Sequence, residues 1–362
     1  MQLLLIDGNH IMYSVLYRYI AKAKKRGDYE EATEEIVDKT ASQFTKVIKK
    51  LVRRFRPTHM CVIFDNDATN FRHQLSAIYK ANRRERPKEV HPLKQRIYAQ
   101  FREEKIPFLF ASNYEGDDLI GTLAARAEEL SRCKKVILLS GDMDLAQLVT
   151  AKTQLYLINS GIFTGSWVTE KNVKGLLDVG PEQIPALKSL LGDRTDNIKG
   201  ISGLRRPNVL RVIEKYPDIE QFLEIEKSKN KTEALILRHR EHVRNNLRLA
   251  RIICDLRFYL RWEDFVVSAW LEPKKMESAP EGADRPAASA KPAKRRRPAP
   301  AKAMRQAPSE PEPSPAPNAS LPETTPDHPA VDTVTSTDEV KKRKRRRRSR
   351  KRKPAAGNGE SI

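Results

Sequence analysis

Over the first 272 positions of this 362-residue chain, short apolar runs alternate with longer stretches in which apolar positions recur every three or four residues. Runs of the first kind occupy residues 2–6, 60–64, 107–110, 136–139 and 154–157, and their length and β-branched content predict strands. Residues 11–25, 37–55 and 118–130 carry apolar positions at helical spacing. Helical patterning continues, without a clear strand, from residue 170 to about residue 251. Strands separated by helices of this length need crossover connections, so the expected fold is α/β. It is an open, mainly parallel sheet with flanking helices, followed by a helical region. No internal repeat is evident.

The pattern stops at residue 273. From there to residue 362 the chain holds 15 of its 23 prolines and no Phe, Trp or Tyr, a composition that cannot bury enough apolar surface to offset chain entropy. The expected domains are therefore 1–168, a sheet-based core; 169–272, a helical region; and 273–362, a disordered Pro/Ala/Lys/Arg-rich tail. Overall charge is +21, from 68 Lys+Arg against 47 Asp+Glu, and the tail contributes 22 basic and 11 acidic residues of these. Its charge concentrates in residues 294–297 and 341–353, where Ser349 alone interrupts the Lys/Arg series. A polyanionic partner is the first inference, and the run fits a nucleic-acid arm best, a nuclear-localisation signal less well and solubilising charge least.

No stretch approaches the ~18 consecutive apolar residues of a membrane span, and the apolar start meets Asp7 too early to form a signal-peptide core. Cys61, Cys133 and Cys254 are too few and too far apart for a disulfide framework or a CxxC metal site. A reducing, cytoplasmic compartment is expected, with nuclear targeting by the tail as the lesser alternative.

Acids follow each expected strand. Asp7 comes after the first and Asp65 after the second; Glu115, Asp117 and Asp118 follow the third, and Asp142 and Asp144 the fourth. Each alone has an ordinary reading as a helix cap. In an open parallel sheet, however, the carboxyl ends of the strands share one edge, where ligands bind. Carboxylates gathered there repel one another unless divalent cations occupy the cluster. Oxygen donors without nearby Cys or His favour Mg²⁺, with Mn²⁺ as a substitute, over Zn²⁺. Asp193 and Asp196 bring the donors to enough for two ions. Two such ions roughly 4 Å apart activate a water and stabilise a leaving oxygen, so the expected chemistry is phosphodiester hydrolysis.

The residues also match a family. Residues 6–9 (IDGN), Phe64-Asp65 with Phe71-Arg72, residues 79–83 (YKANR), 114–120 (YEGDDLI), 140–145 (SGDMDL) and 191–198 (LGDRTDNI) resemble, in order, the motifs of structure-specific 5′ nucleases. These are the flap endonucleases and 5′–3′ exonucleases of bacteriophages and the 5′-nuclease domain of bacterial DNA polymerase I. The resemblance covers about residues 1–260, and with no polymerase segment following, a free-standing nuclease is expected. It implies a PIN-like nuclease core and a helical arch at about residues 66–105. It also implies a first metal cluster from Asp7, Asp65, Glu115, Asp117 and Asp118 and a second from Asp142, Asp144, Asp193 and Asp196, with the division between two ions left open. Lys80 and Arg83 fall at the family's basic positions at the base of the arch, with Lys80 holding the scissile phosphate. Independently, residues 72–105 carry ten basic residues against four Glu, with Tyr79, Tyr98 and Phe101 interleaved, a mixture suited to phosphate neutralisation and base stacking. Arg72 and Tyr79 are candidate DNA contacts on that ground.

Two departures from the family pattern stand out. Relatives follow the 191–198 motif with a helix–three-turn–helix whose glycine-rich hairpin lets backbone amides approach a duplex phosphate, often beside a monovalent ion. Here Gly200 and Gly203 are present, but Arg205 and Pro207 replace the next glycine and lysine, so duplex binding is expected to rest on Lys199, Arg205, Arg206 and Arg211, and a bound K⁺ is left open. Near the start, Tyr13-Ser14 replaces an aromatic–Arg pair, and Arg18 is the nearest substitute. The loosened hairpin resembles the phage ribonuclease H branch, which also removes RNA primers. The leading expectation is a Mg²⁺-dependent 5′ nuclease, a hydrolase with the monomer as its default state, acting on DNA with 5′ single-strand/duplex junctions. RNA/DNA hybrid is left open as an additional substrate. A catalytically lapsed junction-binding protein of the same fold is the alternative, and an RNA-processing nuclease the third reading.

Overall fold

The computed structural model describes residues 1–66, 69–110 and 112–267; the expected basic tail lies outside the described residues. Among them a six-stranded sheet runs in the order β3-β2-β1-β4-β5-β6. The strands are β1 (Gln2–Asp7), β2 (His59–Phe64), β3 (Phe108–Phe110), β4 (Lys135–Ser140), β5 (Thr153–Gly161) and β6 (Thr164–Val168). The first five are parallel, and β6 is an antiparallel edge added by a hairpin. β6 is not expected from the sequence. Its residues TGSWV are mostly exposed and polar, and an edge strand with one solvated face has no apolar run to announce it.

Strand periodicity divides the interior. Leu3 and Leu5, Cys61 and Ile63, and Val136 and Leu138 face one core; Leu4 and Ile6, Met60, Val62 and Phe64, and Ile137 and Leu139 face the other. Both faces are covered, which is why the central strands are continuous apolar runs. The second core is closed by α1 (Gly8–Arg26), α2 (Thr33–Phe55) and, after the short α3 (Phe71–Leu75), by α4 (Val90–Glu103). The first is closed by α5 (Gly116–Glu128) and by the helical region: α6 (Val173–Leu177), α7 (Ile184–Leu191), α8 (Arg206–Lys215), α9 (Ile219–Leu223), α10 (Lys231–Arg238) and α11 (Arg240–Ala250).

The helical arch is expected at about residues 66–105, and α4 lies within that segment. α4 buries Val90, Leu93, Ile97 and Phe101 in the second core, and Tyr98 stacks on Phe108 (centroids 5.0 Å) and Phe110 (5.8 Å). Phe101 and Tyr98 are therefore core aromatics, and the base stacking expected of them does not hold. The helical region likewise contains a two-stranded hairpin, β7 (Gly192–Asp193) with β8 (Ile198–Lys199), that its helical pattern does not signal. Four residues of strand are too few to carry a period of two.

Candidate active site

Parallel strands deliver their carboxyl ends to one edge, and the acids there surround a pocket of about 500 Å³. Asp7, Asp65, Glu115, Asp117, Asp142, Asp144 and Asp193 line it together with Lys80 and Arg83. Local structure places each one. Asp7 caps α1, accepting from the His10 amide at 2.9 Å, and accepts from Ser140 Oγ at 2.6 Å. Asp65 accepts from the Gly116 amide at 2.6 Å and from Asn9 Nδ2 at 2.5 Å. Asp142 caps the 3-10 turn Met143–Leu148 through the Asp144 amide at 2.9 Å. Capping and clustering thus coexist, since the cap also fixes the direction in which the carboxylate faces the pocket.

The electrostatics split the site in two. Burial pushes Asp117 well above the usual carboxylate range, with Asp142, Asp7 and Asp65 adding repulsion. Burial raises Asp7 as well, and burial with Asp142 lifts Asp144 to about 6. Glu115 goes the other way: burial raises it, but Lys80, whose Nζ donates to Glu115 Oε1 at 2.7 Å, and Arg72 outweigh burial and hold it at about 2. Lys80 in turn is held protonated, burial being outweighed by Glu115 and Asp196.

A side chain that sequence reasoning did not single out, Lys188 on α7, sends its Nζ to both Asp144 and Asp193. Burial lowers its affinity for the proton, but the two carboxylates outweigh that and raise it. The available signal was a single charged residue inside the mostly apolar run IPALKSLL. Asp144, Asp193 and Asp196 offer oxygens that all lie within 4.8 Å of one another. Three clustered carboxylates, a neighbouring group of protonation-prone acids and an ammonium drawn in between them are the features of a set of hard donors that fits a divalent cation.

Five site expectations change. Asp118 is fully buried, its oxygens accept from Arg72 at 2.6 and 2.7 Å and from the amides of Glu115 (3.0 Å) and Ile253 (2.9 Å), so it supports the site from behind and is not a metal ligand. Arg72, 2 % exposed, also donates to the carbonyls of Leu249 and Arg251 and therefore does not contact nucleic acid. Tyr79 is buried with its hydroxyl at Glu115 Oε2 (3.1 Å), so it does not stack on bases. Gly200 is needed for protein packing: a Cβ there would lie 2.2 Å from the Leu191 carbonyl carbon. Gly203 has φ +85°, and a Cβ there would meet only Leu235 Cδ2 at an unstrained 3.9 Å, so its backbone conformation is what requires glycine. Of the other duplex candidates, Lys199, Arg205 and Arg211 are exposed, and Arg206 is exposed but paired with Asp178 at 2.8 Å.

The raised acids have a measurable consequence. Asp7, Asp117 and Asp144 bind protons more tightly folded than unfolded, so their stabilisation is full below about pH 4 and is lost as pH rises, for Asp144 through about 6. In EDTA the melting temperature is expected to fall between pH 5 and pH 7. Millimolar Mg²⁺ at pH 7 is expected to raise it by about 5 °C, as a ligand near 100-fold above its Kd contributes ~2.7 kcal/mol. Identical melting curves in EDTA and Mg²⁺ would count against a cation site.

Profiles of two domain families match this chain: the 5′–3′ exonuclease N-terminal resolvase-like domain over residues 2–174 and the 5′–3′ exonuclease C-terminal SAM fold over residues 179–273. The chain belongs to the 5′–3′ exonuclease family. Among its relatives, DNA polymerase I of Bacillus caldotenax is 32 % identical over 265 residues, covering 73 % of this chain and 29 % of the polymerase. DNA polymerase I of Rhizobium leguminosarum is 30 % identical over 261 residues, 70 % of this chain and 24 % of the polymerase. The chain thus spans less than a third of the length of these relatives. The T5 D15 protein co-crystallised with metal ions shares the fold at 19 % identity and TM-score 0.55, over 70 % of this chain and 90 % of that one. T5 5′-exonuclease with bound zinc does so at 20 % identity and the same TM-score and shares.

Proposed function

We propose that the protein is a Mg²⁺-dependent, structure-specific 5′ nuclease that hydrolyses phosphodiesters near single-strand/duplex junctions in DNA during replication and repair. The observation that carries the reading is the pocket itself, in which acids from four strand ends and the 193–196 turn face the basic side chains of Lys80 and Arg83. Asp7, Asp65, Asp117 and Glu115 would hold one divalent ion, and Asp142, Asp144, Asp193 and Asp196 a second. Bound there, such ions supply a nucleophilic hydroxide and neutralise charge on the leaving oxygen. The chain's own contribution is positional. Lys80 and Arg83 bring positive charge to a pocket wall whose other charged side chains are mostly carboxylates. Lys188 gives the second acid group a counter-charge that a cation displaces or supplements.

Lys199, Arg205 and Arg211 supply exposed positive charge in the helical region for the duplex. No helix among the described residues is long and apolar enough to cross a membrane. The proposed working location is the cytoplasm, with access to replicating DNA, and the proposed active unit is the monomer.

Substrate selectivity tests the reading: a 5′-flap DNA should be cut faster than a 3′-flap or blunt duplex of the same sequence. An RNA-flap arm in the same series measures primer removal. Equal cutting of all three DNA forms would remove the claim of structure specificity. The basic tail is proposed as a second, sequence-independent site of attachment to DNA. Deleting residues 273–362 is expected to weaken DNA binding and flatten its dependence on salt, by about one unit of log–log slope for each phosphate that the tail neutralises, with the single-turnover rate unchanged. An unchanged salt slope would leave the tail without that role.

A further inference from the structure

The segment that carries Lys80 is held less by the sheet than by the turn after β7. Five hydrogen bonds join the two: Lys80 N donates to Asp196 O at 3.0 Å, Asn197 Nδ2 to Ile78 O at 2.7 Å, Asn82 Nδ2 to Arg194 O at 2.6 Å, Arg83 Nη2 to Asp196 Oδ1 at 3.1 Å, and the Tyr79 hydroxyl to Asp196 Oδ2 at 3.4 Å. Beneath them lies a small apolar cluster separate from both main cores, formed by Tyr79, Ile198, Leu249 and Ala250 with Leu75 against it. At the centre of the clasp are two residues with left-handed backbone, Lys80 at φ 54° and Asn197 at φ 56°. Asn tolerates that region through its short polar side chain; Lys, without such a side chain, enters it only against steric strain. Such a conformation persists only where the surroundings over-determine it. Here the surroundings are the turn that also carries Asp193 and Asp196.

We infer that Asn82 and Asn197 are positioning residues: by tying the 78–83 segment to the 193–197 turn, they set where the Lys80 ammonium stands over the pocket. Lys80 and the acids of that turn are then placed as one unit, so that the cation meant for the phosphate and the carboxylates meant for the metal keep a fixed separation. The assignment rests on the nuclease reading for its purpose but on the hydrogen bonds for its existence. Neither asparagine lines the pocket. Both side chains spend their amide donors on backbone carbonyls across the clasp.

The test uses the full chain with Asn197→Gly, which keeps the left-handed backbone and removes the donor, and Asn82→Ala, singly and together. Amide hydrogen exchange over residues 78–83 is expected to speed up at least tenfold in the double variant, with the melting temperature moved by no more than about 3 °C. Single-turnover cleavage of a 5′-flap DNA is expected to slow by about 10²-fold, while the Kd for the flap measured in Ca²⁺ changes less than threefold. In a Lys80→Ala background the two asparagine changes should slow cleavage no further, whereas a general structural role would give the same loss in both backgrounds. Asn82→Gln, which can still reach the Arg194 carbonyl, should recover most of the Asn82→Ala loss. Unchanged exchange in the double variant, or equal losses with and without Lys80, overturns the assignment. A wild-type chain that fails to cut the flap refutes the nuclease reading, and the exchange difference still decides the clasp.

Discussion

Replacing Asp142 with Asn is expected to lower 5′-flap cleavage by about 10³-fold or more while leaving DNA binding measurable. The substitution separates chemistry from fold for a structural reason. The Asp142 carboxylate caps the Met143–Leu148 turn by accepting from the Asp144 amide, and an Asn side-chain oxygen caps equally well. What changes is charge. Asp142 repels both Asp117 and Asp144 and so lies between the two halves of the acid group. Its neutralisation removes a ligand charge from whichever ion is nearer and relieves the neighbours' repulsion, so the metal-free variant should be as stable as the parent at pH 7, or more so. Single-turnover rates with melting curves check both halves of the statement. A variant that keeps a tenth of the parental rate would remove Asp142 from the catalytic acids.

Arg72→Met carries the second large effect, and on stability. The guanidinium is buried against Asp118, which is itself fully buried, and the pair is sealed under α11 by the Leu249 and Arg251 carbonyls. Burial weakens the hold of Arg72 on its proton, but pairing with Asp118 and the charge of Glu115 more than reverse this. Removing one partner leaves an uncompensated carboxylate in the interior, which costs about 3–5 kcal/mol, or roughly 10 °C in melting temperature for a chain of this size. Denaturant unfolding measures it. A phosphate-contacting arginine would behave in the opposite way, with stability preserved and DNA affinity lowered. Asp118→Asn should cost less, since an amide oxygen still accepts from one of the two backbone amides that Asp118 now serves.

These two residues also mark where sequence was readable and where it was not. Acids after strands are legible because a parallel sheet sends every such position to the same edge, and Asp7, Asp65, Asp117 and Asp142 meet there. Asp118 follows the same rule in sequence, one residue after Asp117, but adjacent positions at the start of a helix point about 100° apart. One reaches the pocket and the other enters the core. Arg72 and Tyr79 sit in a basic, aromatic-bearing segment whose composition suits nucleic acid, yet a long side chain can satisfy a buried acid as readily as a phosphate. Only the packing of α11 over residues 71–79 decides between these uses. Lys188 was illegible for the converse reason, because an isolated lysine on an apolar helix gives no sign of what lies across the space it points into. β7 and β8 are two-residue strands, below the length at which hydrophobic alternation has meaning, and β6 is an exposed, polar edge strand with no apolar run to announce it.

The most direct measurement is cleavage of a 5′-flap DNA, labelled at its 5′ end, by the purified chain in Mg²⁺ and in EDTA. A short labelled product that forms in Mg²⁺, is absent in EDTA and disappears with Asp142→Asn is the predicted result, and its length places the cut relative to the junction. Tight binding of the flap with no product in either Mg²⁺ or Mn²⁺ would contradict the account and leave a junction-binding protein built on a nuclease fold.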